Sequence, residues 1–133
     1  MADPVRGRNE ILSVLKTVEY GVVSTLEGGK IKSRAMHIAV DGSFNFYVSS
    51  IKGDPKVKQL LENKTISLLL LKDDKGFFEA EEIEVVGFAQ IIHDEAERQK
   101  TFELLAKSSP IVKNMTEGGA LGMLEAIKIV PKS

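Results

Sequence analysis

Apolar and polar positions change period several times along this chain, and each change marks an element. From Arg6 to Glu19, Ile11, Leu12, Val14, Leu15 and Val18 recur at mixed three- and four-residue intervals. That spacing predicts an amphipathic helix that packs on a sheet or plugs a barrel end. "YGVVSTL" (20–26) is β-branched and short, "EGG" (27–29) is a turn, and "KIKSRAMHIAV" (30–40) is long enough for a second strand, paired with the first as a hairpin. Asp41 and Gly42 tolerate positive φ and predict a two-residue turn, after which "SFNFYVS" (43–49) returns as a third strand.

Asp54 and Pro55 suit the N-cap and first position of a helix whose apolar face is Val57, Leu60 and Leu61 and whose end is Asn63. "KTISLLLL" (64–71) is too short for a normal helix and reads as a buried strand. "KDDKG" (72–76) is a turn, and "FFEAEEIEVVGFAQII" (77–92) reads as one long strand with a bulge near Gly87. Asp94 is a suitable N-cap, acids fill the turn after it, Phe102, Leu105 and Ala106 share a face, and Pro110 lies beyond the end, which together predict a third helix. "IVKNMTEGGALG" (111–122) reads as irregular chain or a short helical turn, its glycines a connection or a flap, and "MLEAIKIVP" (123–131) as a last strand. The result is a single domain over residues 1–133, mainly β with flanking helices (α+β). Six mostly antiparallel strands favour closure into a small barrel, because closure removes exposed edges. An open antiparallel sheet with helices on one face is the alternative.

Composition narrows the chemistry. The 133 residues are 43% hydrophobic and 28% charged, which suits one domain with a real core, and the net charge of -1 means that any phosphate site must be a local patch. The chain has no cysteine, which excludes disulfides, thiolate metal sites and thiol catalysis and fits a reducing, cytoplasmic home. No apolar stretch approaches the ~20 residues of a membrane span, and "MADPVRGRNE" lacks the apolar centre of a signal peptide, so a soluble protein without a membrane partner is expected. His37 and His93 are the only histidines and lie far apart, so no metal site is expected. His37 could face a substrate, though a hydrogen-bonded strand histidine is commoner. Neither a nucleophile elbow nor a Gly-Lys-Ser phosphate loop is present. Aromatic residues make up 6% with no tryptophan, which leaves a single-stranded nucleic-acid barrel as a remote alternative only.

One stretch calls for an explanation. In "SSIKGDPKVKQLLEN" (49–63), Lys52, Lys56 and Lys58 surround a helix start, where the macrodipole disfavours cations and backbone N–H groups await an acceptor. An anion held there, with Ser49 and Ser50 adding hydroxyl donors, would resolve the conflict. The plainer reading is a solvated, lysine-bearing helix end. Period-two alternation puts Arg34 on the face of Met36, Ile38 and Val40, at the head of an apolar row where a guanidinium needs a partner. A meander would bring it near the end of "FNFYVSS"; an exposed arginine paired with one of the 19 acids is the commoner fate.

The succession "GVVSTL", "KSRAMHIAV", "FNFYVSS", "DPKVKQLLENKTISLLL" and "IEVVGFAQII" resembles the pyridoxamine 5'-phosphate oxidase-like, FMN-binding split-barrel superfamily, particularly its short general-stress-protein branch. The likeness runs from about Glu10 to the final strand, and its most specific element is similar to the family pattern S-x-K-x-x-x-L-x-x-N-P-x-V. The resemblance implies a split β-barrel and a homodimer with two FMN sites at its interface. It implies that Arg34 and Lys56 hold the FMN phosphate. It also implies that Ala35, Met36 and His37 pass the isoalloxazine ring, and that Tyr47, Val48 and Ser49 lie beside ribityl and phosphate. Lys52 falls in a loop slightly longer than the family's. Glu82 stands where the pyridoxamine phosphate oxidases carry a glutamine that reaches FMN from the partner chain; a solvated strand-end glutamate is the plainer reading.

The expected function is therefore an FMN-dependent oxidoreductase acting on a small substrate or electron donor, with no residue singled out as catalytic. The chain stops at "KIVPKS", short of the segment that carries the biosynthetic oxidase's substrate arginine and histidine, so true pyridoxamine phosphate oxidase activity is not expected. The alternative is a module that holds flavin, deazaflavin or haem without turnover.

Overall fold

A computed structural model of the chain describes Val18 and residues 20–27, 29–62, 65–72, 81–107 and 109–132. The expected first helix, the "KDDKG" turn and the start of the long strand lie outside the described residues, apart from Val18, Glu19's neighbour, which is buried. The strands are β1 (Tyr20–Glu27), β2 (Lys30–His37), β3 (Ala39–Val40), β4 (Phe46–Ile51), β5 (Ile66–Lys72), β6 (Glu81–Ile91) and β7 (Leu124–Pro131). The helices are α1 (Pro55–Glu62), α2 (Glu95–Ala106) and α3 (Pro110–Glu117), with a 3₁₀ turn at Leu121–Met123. All pairings are antiparallel, in one sheet of order β2-β1-β5-β6-β7-β4-β3.

The sheet has seven strands where six were expected, and the reason is a change of partner. Residues 30–40 were read as one strand, but β2 pairs with β1 and, beyond Ile38, β3 pairs with β4. The two outer strands of the ladder are thus consecutive pieces of one run of chain, and the sheet curls so that this run serves both edges. Strands 30–37 and 46–51 are consequently not ladder neighbours, as a meander would make them; β4 pairs with β7. No bulge interrupts β6 at Gly87, which pairs with Ile66 on one side and Pro131 on the other in continuous register. Glycine is needed there for close approach, since a Cβ would lie 2.3 Å from the Val130 carbonyl oxygen.

Two cores sit on opposite faces of the curl. Alternation along β1, β2, β4 and β5 sends Val23, Met36, Phe46, Val48, Ile66, Leu68 and Leu70 inward, where α1 covers them with Val57 and Leu60. Leu61, expected on that face, is 39% exposed. On the outer face, Phe102 and Leu105 of α2 and Val112 of α3 pack against Leu124 and Ala126 of β7. Ala126 and Ile127 are adjacent yet both fully buried, because β7 is covered on both sides. Helices therefore lie on both faces, unlike the open-sheet alternative. Among the described residues no helix is long and apolar enough to cross a membrane.

Two local expectations are corrected. The stretch after the third helix, expected as irregular chain or a short helical turn, is a helix of 8 residues: Ser109 accepts from the Val112 N–H and Pro110 starts α3. The turn after β3 is not two residues long: Val40 pairs with Phe46, leaving five residues between them. The Asp41 carboxylate accepts from the N–H groups of Ser43 (2.8 Å) and Asn45 (2.9 Å) and holds the loop in this wider form. Positive φ falls on Phe44 (63°) rather than on Gly42.

Candidate functional site

Arg34 occupies the interior face of β2, as alternation predicts, and is half-buried beside the buried Met36, Ile38 and Val40. Its side chain reaches across β1 to the helix. Nη1 donates to Thr25 Oγ1 at 3.1 Å and, at the long distance of 3.5 Å, to the Val23 carbonyl; Nη2 donates to Gln59 Oε1 of α1 at 2.7 Å. Every acceptor is neutral, and among the described residues no carboxylate pairs with this guanidinium. The positive charge at the inner wall is thus not cancelled by an acid among the described residues.

Where β2 ends and β3 turns away, the chain opens a cleft of about 230 Å³. Ala35, Met36 and His37 of β2 form one wall, and Ser49, Ser50 and Ile51 of β4 another. Asp54, just before α1, and Ser109, Ile111 and Val112 at the start of α3 complete it with Leu124. Two buried polar atoms on this cleft, His37 Nδ1 and Ser50 Oγ, have no hydrogen-bond partner among the described residues. Such atoms cost roughly 1–3 kcal/mol each when left unsatisfied, so they are unusual in a purely structural wall. The His37 ring meets the Tyr20 ring edge to face at 5.2 Å.

The remaining residues of the expected site are placed separately. Val48 is fully buried in the inner core. Tyr47 lies on the other face, in a cleft of about 300 Å³ beside α2, where its hydroxyl donates to Asp41 Oδ2 at 2.7 Å. Burial and the neighbouring Asp41 and Glu97 charges raise the Tyr47 pKa well above its usual value. Burial alone would raise that of Asp41, but hydrogen bonds from Asn45, Tyr47 and Ser43 outweigh it and lower the carboxyl below its usual value. Lys52 is exposed and lines a third cleft with His93, Arg98 and Glu125, its N–H bonded to the Met123 carbonyl. Lys56 is the second residue of α1. Glu82 is the second residue of β6, opposite Leu71.

The structure thus gathers Ala35, Met36, His37 and Ser49 around one cleft, directs Arg34 to Gln59 of α1, and sends Tyr47 and Lys52 to other clefts. Sequence reasoning missed Thr25 and Gln59. Thr25 was accessible by alternation from Val23; Gln59 was a polar residue beside the Val57 and Leu60 stripe, with nothing local to mark it. Among the described residues no group of three metal-ligating side chains occurs.

No protein-family model matches the sequence, nor does any curated protein sequence. Solved structures do match. A candidate pyridoxamine 5'-phosphate oxidase from Listeria innocua superposes with a TM-score of 0.72 at 25% identity, covering 95% of this chain and 94% of that one. General Stress Protein 26 from Bacillus anthracis gives a TM-score of 0.67 at 22% identity, covering 95% of this chain and 89% of its own. The haem storage protein HutZ from Vibrio cholerae gives 0.72 at 11% identity, with 94% and 89% covered. Similarity over nearly the whole of each chain shows that this chain has the fold of pyridoxamine 5'-phosphate oxidase-like and general stress protein 26 proteins, consistent with the split-barrel superfamily.

Proposed function

We propose that this chain is an FMN-binding flavoprotein, an oxidoreductase that works as a homodimer on a small substrate. The observation that carries the reading is Arg34, a half-buried guanidinium hydrogen-bonded to neutral oxygens alone among the described residues. A cation held in that way favours an anionic ligand, and Lys56 at the start of α1 adds a second charge where helix N–H groups also accept an anion. His37 Nδ1 and Ser50 Oγ, without a hydrogen-bond partner among the described residues, fit a polar ligand in their cleft, with Ala35, Met36 and Ser49 along its walls. Bound flavin would supply hydride or electron transfer, and the residues named here supply binding, orientation and exclusion of water.

The homodimer rests on two features. The cleft is smaller than the ~300–1,000 Å³ usual for ligand pockets, so one copy encloses only part of a cofactor. The outer face of β1 and β2 also leaves Tyr20, Leu26 and Ile31 57–77% exposed, with Leu26 and Ile31 paired across the ladder. In this arrangement Glu82 approaches the cofactor of the other copy, whereas Tyr47, Val48 and Lys52 take no part through their side chains.

The purified protein should be yellow, with FMN released on denaturation, and Arg34→Ala combined with Lys56→Ala should abolish its retention. Unchanged FMN binding in that double variant would remove the assignment. A second reading, a module that holds a cofactor without turnover, is favoured by the likeness to a haem storage protein. Anaerobic mixing with NADH or NADPH separates the two, since bleaching of the flavin bands supports the oxidoreductase and persistence with every donor supports the module.

A further inference from the structure

We infer that Gln59 is a positioning residue for Arg34, an amide that aims the guanidinium toward a phosphate while leaving its charge uncancelled; this rests on the proposed FMN reading. A long arginine side chain on a strand loses rotamer freedom when fixed, so a site that needs its fork in one place must hold it beforehand. The cheapest holder by affinity is a carboxylate, which would also neutralise it. Here the holder is neutral. Gln59 Oε1 accepts from Nη2 at 2.7 Å, the shortest of the three Arg34 contacts, and Thr25 Oγ1 accepts from Nη1 at 3.1 Å.

The two anchors come from elements that do not move independently of the core. Thr25 is 3% exposed on β1, and Gln59 stands one residue before Leu60, which is fully buried against the inner face of the sheet. A guanidinium has five N–H donors. Nη1 is committed to Thr25 and Val23 and Nη2 to Gln59, which leaves Nε–H and one Nη2–H without a protein acceptor among the described residues. Two donors on one cation, with the rest pinned, match an oxyanion's bidentate demand. Gln59 lies one helical turn after Lys56, so the same helix carries both the second cation and the tether of the first.

The test compares dissociation constants for FMN and riboflavin, which differ only in the phosphate. Wild type should prefer FMN. Gln59→Glu keeps size and hydrogen bond but pairs Arg34 with a charge, and should lower the FMN-over-riboflavin preference by about tenfold or more, the scale of a lost charge-assisted contact. Gln59→Leu releases the fork and should lower the same ratio, with Thr25→Val giving a smaller loss. A merely structural Gln59 would weaken both ligands alike and leave the ratio intact, and Gln59→Glu retaining the wild-type ratio would overturn the inference while the FMN reading stood. Wild type binding riboflavin as tightly as FMN would overturn the phosphate assignment itself.

Discussion

Helices α1 and α2 both begin with backbone N–H groups that need an acceptor, and the charges in their first turns differ in sign. At α2, Asp94 accepts from the Glu97 N–H at 3.0 Å, and Glu95 and Glu97 add negative charge to the first turn. The loop at 41–45 is handled alike, with the Asp41 carboxylate collecting two N–H groups, the Asn45 amide and the Tyr47 hydroxyl. The first turn of α1 contains no acid, Lys56 and Lys58 follow its opening proline, and Asp54 stands before it on the cleft. Arg34 on β2 is held by neutral tethers, with no acid paired to it among the described residues.

The sharpest way to test this contrast is to show that it is confined to the helix starts. Leu60→Ala in α1 and Leu105→Ala in α2 remove fully buried side chains from the two cores and should each cost about 2–5 kcal/mol in denaturant unfolding. A negligible cost for Leu60→Ala would mean that α1 is loosely held and unable to position anything. Next in size, Asp41→Ala removes a carboxylate with four donors and should cost on the order of 2 kcal/mol near neutral pH.

That second contribution has a definite pH dependence. The folded-state pKa of Asp41 lies below its ordinary 3.8, so its stabilisation is fully present above that value and is lost as pH falls from 3.8 through the folded pKa. Tyr47 has the opposite sign: its pKa is raised above 10.0, so its contribution is present below pH 10.0 and declines as pH rises beyond it. Asp41→Asn should flatten the acid limb of a stability profile relative to wild type.

The two smallest effects bear directly on the helix starts. Asp94→Ala should destabilise by about 1 kcal/mol, with or without FMN, through the lost cap. Lys56→Ala should do the reverse in the free protein, stabilising it by about 0.3–1 kcal/mol because a cation leaves a positive helix end. The same variant should bind FMN more weakly, as titration would show. If Lys56→Ala destabilised the free protein, the start of α1 would be no different in kind from that of α2.

Much of this was legible in short stretches. Alternation in 30–40 put Arg34 inward with Met36, Ile38 and Val40, and Asp94 and Pro55 marked their helix starts. The start of α3 was equally available: Ser109 before Pro110, then Val112 and Met115 three apart on the face toward the core, though the glycines that follow disguised it. The partner change at Ile38 was not available, because alternation tells which face a residue takes and not which strand lies beside it. Nor was the five-residue loop, whose form depends on how one carboxylate rotamer meets N–H groups two and four residues on.

By itself the sequence determined the periods, the caps and the local surplus of lysines, since these depend on residues within one or two turns of each other. Only the tertiary structure decided that Arg34 would meet Thr25, nine residues back, and Gln59, 25 residues on, and that Lys52 and Tyr47 would face other clefts. Such contacts are set by strand register and by where a helix docks in a curled sheet. Those are decided by burial summed over the whole core, which no single stretch encodes.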